Sequence, residues 1–425
     1  MAITMRGRTA AALLTIGLIG AACGTNVVKP AATGGAIPAA PTTTDPRTFT
    51  GADSAFYATP PPVAGSKHGD LVSFQSIKLA DKALDGAQAW RILYRSVSVN
   101  GEKPIVVSGM VIAPAGKATV PRPMIAWAHD TVGSADTCAP SKTFTGVAAA
   151  TDTVATALVN QFAFFLRQGY VVVATDYEGL GTEGPHPFLV GTSEGRGVLD
   201  SLLAARQMTV LNASDSTVIY GLSQGGQAAL FAGELASTWA PDIKVAGVVA
   251  AAPFSEVDLL LPFAGSVATV AHYYVLGVYG QAAANKNLNV SAVLDSSAIA
   301  QSSAIETQCL DQLRATFTGV LTATGKTSFI TTNPLALPEW KAQLASIVPG
   351  LRLTGAPVFI AQGKDDATVP AFTTQSLVKR ICGKNQVQYI EYDKTGHGEA
   401  VVSADRDIRA FVTNRLAGAP FTSSC

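Results

Sequence analysis

The chain has 425 residues, of which 48% are hydrophobic and 14% charged, and its 30 basic and 30 acidic side chains balance to a formal net charge of zero. That length and apolar content supply a sizeable core, in one large domain or two smaller ones. The even charge, with no long basic run, argues against a nucleic-acid partner.

Residues 1–22 read as an export signal. Arg6 and Arg8 precede an apolar run too short for a comfortable membrane span. The run ends Leu18-Ile-Gly-Ala-Ala-Cys23, small residues before a lone cysteine, in the manner of a bacterial lipobox. Lipidation of Cys23, and association with the outer face of the cell membrane through it, is the expectation; an ordinary cleaved signal with secretion is the alternative. Residues 23–62 are rich in Ala, Thr, Pro and Gly and read as a disordered tether that cannot bury a core. Four further cysteines, Cys138, Cys309, Cys382 and Cys425, suggest two disulfides in an exported chain, with three pairings open. Their spacing suits no zinc site.

After the tether, residues 87–99 and 104–114 alternate and are β-rich, an antiparallel start to a sheet. A strand at 123–128 follows, then a helix at 153–168 and a strand at 170–174. A helix at 197–208 leads to a strand at 216–220 and a helix at 227–236. Further strands are expected at 245–251, 357–361 and 387–392. The alternation implies crossover units, hence an α/β fold with a mostly parallel sheet flanked by helices. Residues 254–354 break the rhythm. They are strongly apolar at first but interrupted by Asp258, Pro262 and His272, and they lie between sheet strands. They read as a helical cap or lid inserted into a core made of 63–253 and 355–425, placed to cover a site and bind an apolar substrate.

Gly221-Leu222-Ser223-Gln224-Gly225 sits between the strand at 216–220 and the helix at 227–236. That is the context of a nucleophile elbow, which holds a serine at a helix N-terminus. The pattern alone is unsafe, because Gly191-Thr-Ser193-Glu-Gly195 matches it too. That copy follows prolines at 185 and 187 rather than a strand, so Ser193 is assigned to capping a helix that begins near Glu194.

A serine hydroxyl needs a base, and the base an orienting acid; on this kind of sheet they follow in the order Ser, acid, His. Only His272 and His397 lie downstream. His272 is in the apolar insertion, whereas His397 stands in a glycine-flanked loop after the last strand. The acid should follow the strand at 357–361, where Asp365 and Asp366 compete; the resemblance of residues 363–370 to the Gly-x-x-Asp-x-x-Val-Pro pattern of related hydrolases implies Asp366. The backbone N–H of Gln224 supplies one oxyanion donor. The loop after the strand at 123–128 supplies the other, assigned to the N–H of Asp130. Asp176, Glu178 and His186 lie at a strand end, where they are expected to fix loops rather than react.

Taken together, Ala126-Trp-Ala-His-Asp-Thr-Val-Gly133, Cys138-Ala-Pro-Ser141, Asp176-Tyr-Glu-Gly-Leu-Gly181, Pro185-His-Pro187, Gly191-Thr-Ser-Glu-Gly-Arg196, the elbow at 221–226, Asp366 and His397 resemble the secretory lipase family, over roughly residues 70–425. The resemblance implies an α/β-hydrolase with an inserted helical lid, acting on carboxylic esters, often acylglycerols. It implies no metal or organic cofactor. It also implies pairing of Cys138 with Cys309 and of Cys382 with Cys425. Asp130 replaces the glycine common in bacterial relatives. Two other readings are an acyltransferase using the same triad and a non-catalytic envelope protein that binds lipid.

Overall fold

A computed structural model describes residues 45–425 apart from 59, 61–64 and 145–151. The expected export signal, Cys23 and the first part of the tether lie outside the described residues.

Among the described residues, nine strands form one sheet in the order β1-β2-β3-β5-β4-β6-β7-β8-β9. They are β1 (Leu71–Ile77), β2 (Ala87–Val97), β3 (Pro104–Pro114), β4 (Arg122–Ala128), β5 (Val171–Thr175), β6 (Ala213–Leu222), β7 (Lys244–Ala251), β8 (Val358–Gly363) and β9 (Val387–Tyr392). The ladders among β1, β2, β3 and β5 are antiparallel, and those from β5 through β4 to β9 are parallel. The central strands are buried on both faces, as a parallel sheet with helices on either side requires. Two apolar layers result. One face of the sheet packs on the helices Gly191–Arg206 and Gln224–Trp239, the other on Thr153–Arg167 and Asp405–Leu416.

The strand β1 went unread because burial is confined to Leu71 and Phe74, and a register shift between Leu71 and Ser73 breaks its alternation. Part of the expected tether is also ordered. The Phe49 N–H donates to the Phe74 carbonyl at 2.8 Å, and Phe56 is buried with Leu93 and Val106. Three aromatic residues, Phe49, Phe56 and Tyr57, supply the anchoring surface that the Pro- and Ala-rich composition masked.

Between β7 and β8 the chain forms the helices Val257–Ser266, Ala271–Ala284, Leu310–Thr324 and Pro338–Ser346 with several short turns. They share a core that includes Leu260, Leu261, Tyr274, Phe317, Phe329 and Trp340. Among the described residues no single helix is long and apolar enough to cross a membrane. The apolar stretch at the start of this layer, Val257–Ser266 followed by Ala268–Ala284, is bent by 113° between its two helical parts. Two disulfides are formed, Cys138–Cys309 and Cys382–Cys425. The first ties this helical layer to the loop after β4, where Gly133 bridges Cys309.

Candidate functional site

The strand β6 ends at Leu222, and the helix Gln224–Trp239 begins after a single intervening residue. Ser223 makes the turn alone, at φ 58° and ψ −117°, in a backbone region that side chains rarely occupy and that costs energy to hold. Its N–H donates to the Ala251 carbonyl at 2.9 Å, and its carbonyl accepts from the N–H groups of Phe254 and Gln227. The elbow is thus fastened to the end of β7. A Cβ at Gly221 would overlap the Gly225 carbonyl, and one at Gly225 would overlap the Ala128 carbonyl. Glycine at these positions lets the helix start pack directly on the end of β4.

His397 reaches the serine from the loop after β9. Its Nε2 lies 2.8 Å from Ser223 Oγ and its Nδ1 lies 2.7 Å from Asp366 Oδ2. Asp366 is buried, and its second oxygen accepts from the N–H groups of Thr368 (2.9 Å) and Val369 (2.7 Å). The Gln362 amide donates to Oδ2 at 3.0 Å and is itself held by Thr374, whose hydroxyl donates to the Gln362 carbonyl oxygen. The carboxylate therefore has every oxygen engaged and one orientation, with an acceptor aimed at His397. Asp365 is exposed; its N–H donates to the Thr395 carbonyl, which pins the histidine loop to the strand end.

Asp130 and Gln224 stand beside Ser223, which shares one cavity with the first and a second with the other. Gln224 opens its helix, so its N–H belongs to a turn with no intrahelical acceptor. Its side chain is fixed from behind: the amide nitrogen donates to Glu194 Oε1 at 2.7 Å and to His186 Nε2 at 3.1 Å. His186 accepts there because its Nδ1 donates to the Glu178 carbonyl at 2.8 Å. Burial pushes the His186 pKa down to about 3 and that of Glu194 up to about 8, so the network is neutral around pH 7. The peptide that carries the Asp130 N–H is held by Tyr177, whose hydroxyl donates to the His129 carbonyl at 3.0 Å. His129, kept neutral by burial with a pKa pushed down to about 4, donates from Nδ1 to the Asp130 carbonyl at 2.6 Å. The Asp130 carboxyl is raised above its ordinary value by burial, opposed by its own N–H and by His397.

Ser223, His397 and Asp130 face a cavity of about 320 Å³ bounded also by Leu158, Tyr273 and Leu310. On the other side, Ser223 and Gln224 border a narrow apolar space of about 20 Å³ between Phe188, Leu260 and Tyr273. Leu260, Tyr273 and Leu310 come from the helices between β7 and β8, so that layer covers the serine.

The other tempting polar residues are placed elsewhere. Ser193 does not cap a helix: Gly191–Arg206 begins two residues before it, with Val190 at the cap. Its hydroxyl donates to Glu178 at 2.5 Å. The start was misjudged because glycines at 191, 195 and 197 hide the helical pattern; Gly195 is there so that its helix can press on the Phe231–Ala232 backbone. Asp176 accepts from the Ser108 hydroxyl (2.6 Å), the Ser141 N–H (2.8 Å) and the Ser141 hydroxyl, binding β3, β5 and the segment after Cys138 together. His272 is buried in Ala271–Ala284 against Tyr273 and makes no hydrogen bond among the described atoms. Tyr177 and Gln362 were not singled out from sequence. The signal for Tyr177 was its place inside Asp176-Tyr-Glu178, at the end of a strand next to the elbow's neighbour.

The family model for secretory lipases matches residues 146–424. Lipase A of Moesziomyces aphidis is 26% identical over 350 residues, 78% of this chain and 72% of that protein. The secreted triacylglycerol lipase LIP4 of Malassezia globosa is 30% identical over 188 residues, 42% of this chain and 40% of that one. The closed state of Candida antarctica lipase A superposes with a TM-score of 0.72 at 20% identity, covering 87% of each chain. A rice cell wall degrading esterase from Xanthomonas oryzae gives 0.65 at 19% identity, covering 82% of this chain and 98% of that one. The fold is that of the α/β-hydrolases, and the chain belongs to the secretory lipase family of carboxylic ester hydrolases.

Proposed function

We propose that this chain is an exported serine hydrolase that cleaves carboxylic esters, acylglycerols among them, through an acyl-enzyme on Ser223. The observation that carries the reading is the unbroken path from Asp366 through His397 to Ser223, with both contacts under 3 Å. His397 accepts the hydroxyl proton at Nε2 as Oγ attacks the acyl carbonyl. Asp366, fixed by three donors from Gln362, Thr368 and Val369, holds Nδ1–H toward itself and stabilises the imidazolium that forms. The N–H groups of Gln224 and Asp130 receive the oxyanion, with the Gln224 helix dipole adding to the field there. His397 then protonates the departing alcohol. Water takes the alcohol's place, gives its proton to His397, and releases the carboxylic acid and Ser223.

Export is supported by the N-terminal pattern and by two disulfides, which persist in oxidising compartments. The pattern Leu18 to Cys23 supports lipidation of that cysteine, which radiolabelled palmitate would report, with Cys23→Ala abolishing the label. The hydrolytic reading is tested by p-nitrophenyl butanoate turnover. Wild-type protein hydrolyses it and Ser223→Ala loses at least about 10³-fold; equal rates in the two proteins contradict it.

A further inference from the structure

A third cavity, of about 260 Å³, lies between the sheet and the helix Thr153–Arg167. Met110, Ile112, Trp127 and Ala174 wall it from three neighbouring strands, and Val159 and Phe162 face them from the helix. The wall is mostly apolar, with His129, Asp130 and Thr143 its polar members, so it offers water few partners. It also borders the site itself: Asp130, Ala155 and Leu158 line both this cavity and the one that holds Ser223 and His397.

The two sides of an ester must separate at Ser223. The alcohol oxygen has to come within reach of His397, which protonates it, whereas the carbonyl oxygen turns toward the N–H groups of Gln224 and Asp130. His397 borders the 320 Å³ cavity and not the narrow one, and Gln224 borders the narrow one and not the larger. The alcohol half therefore leaves on the His397 side, where Asp130, Ala155 and Leu158 also line the 260 Å³ cavity. An apolar cavity of about 150 Å³ accommodates benzene, so this one has room for a chain of more than six carbons.

We propose that this cavity binds the alkyl portion of the ester's alcohol, and that the enzyme selects esters whose alcohol half carries a long or bulky apolar group. The proposal rests on the assignment of Ser223 and His397 above. The chain passes Asp130, Ala155 and Leu158 and lies between Ala174 and Phe162. The acyl group is left to the space under the helical layer, so the two halves are selected independently.

The test is a series of butanoate esters of ethanol, butanol and hexanol, each below its solubility limit, with kcat/KM as the readout. Each methylene moved into apolar surroundings is worth about a fourfold factor, so the wild type should favour hexyl over ethyl butanoate by at least about tenfold. Ala174→Leu adds three carbons to the cavity and should cut that hexyl-to-ethyl ratio by at least about fivefold. The ratio of ethyl octanoate to ethyl butanoate should stay within about twofold in the same variant. Val159→Phe fills the cavity from the helix instead and repeats the test if Ala174→Leu does not fold. A wild type that cleaves every ester with no gain from ethyl to hexyl overturns this proposal and leaves the hydrolase reading intact, as does a hexyl-to-ethyl ratio unchanged in a folded filling variant. A wild type that cleaves none of them overturns the hydrolase reading and this proposal with it.

Discussion

The Tyr177 hydroxyl donates to the His129 carbonyl at 3.0 Å. A trans peptide points its C=O and N–H in opposite directions, so holding the His129 carbonyl sets the direction of the Asp130 N–H. Tyr177 is fully buried, adopts φ 72° and packs its ring near those of His129 and His186. It thus links the peptide of one proposed oxyanion donor, Asp130, to the histidine that pins the side chain of the other, Gln224. Tyr177→Phe removes the hydroxyl and keeps the ring. A neutral hydrogen bond is worth about 0.5–1.5 kcal/mol, so kcat should fall by about 2–10-fold with KM little changed. A loss confined to thermal stability, with kcat intact, would make the tyrosine merely structural.

Of the two adjacent aspartates, only Asp366 touches His397. Asp366→Asn presents an amide where the Nδ1–H needs an acceptor, and kcat should fall by about 10³–10⁴-fold. The exposed Asp365 becomes Asn with a change of about twofold or less. Steady-state kinetics on the two variants separate them, and comparable losses in both would refute the assignment.

Glu194 titrates near 8 in the folded protein, against an ordinary value of 4.5, because it is buried. Below pH 4.5 both folded and unfolded chains hold the proton, and the group has no effect on stability. Between 4.5 and 8 the unfolded chain has released a proton that the folded chain keeps, so this group's contribution falls as pH rises. Glu194→Gln keeps an acceptor for Gln224 and removes the titration. It should therefore stabilise the protein more at pH 8 than at pH 5, by a few kcal/mol at most. Urea midpoints at the two pH values report the difference.

The buried histidines act in the opposite sense at lower pH. His129 and His272 are pushed down to about 4 and His186 to about 3, so they stay neutral while the unfolded chain takes up protons from pH 6.5 downward. Stability from this source is present above pH 6.5 and lost as pH falls toward 4. His272 makes no hydrogen bond among the described atoms. His272→Phe should thus flatten the acid limb of a Tm-versus-pH curve without altering kcat at pH 8.

The Cys138–Cys309 bridge spans 171 residues and joins the loop after β4 to the helical layer over Ser223. Replacing both cysteines by serine should cost about 2–5 kcal/mol, seen as a lower urea midpoint.

Much of this architecture was legible because strong local signals coincide with it. The strands at 123–128, 245–251 and 387–392 lie within a residue of their observed ends, since β-branched runs bounded by turn residues leave little choice. Ser223 and His397 were reached through context and chain order and Asp366 through a pattern of related hydrolases, and the structure brings these three together. What escaped was set by tertiary packing. The glycines that start Gly191–Arg206 look like helix breakers until Phe231 and Ala232 are seen against them. Tyr177 and Gln362 act through partners 48 and 4 residues away, and no periodicity marks such contacts. The cavity beside Ala155 and Leu158 arises where two layers meet, a place that one-dimensional pattern reading does not reach.

Ser223 is the proposed nucleophile. A fluorophosphonate probe phosphonylates a serine only where a base activates it and an oxyanion site receives the phosphoryl oxygen. Peptide mapping by mass spectrometry after labelling should find a single adduct on Ser223, absent in His397→Ala. An adduct on Ser193, or none on protein that still hydrolyses p-nitrophenyl butanoate, would contradict the account.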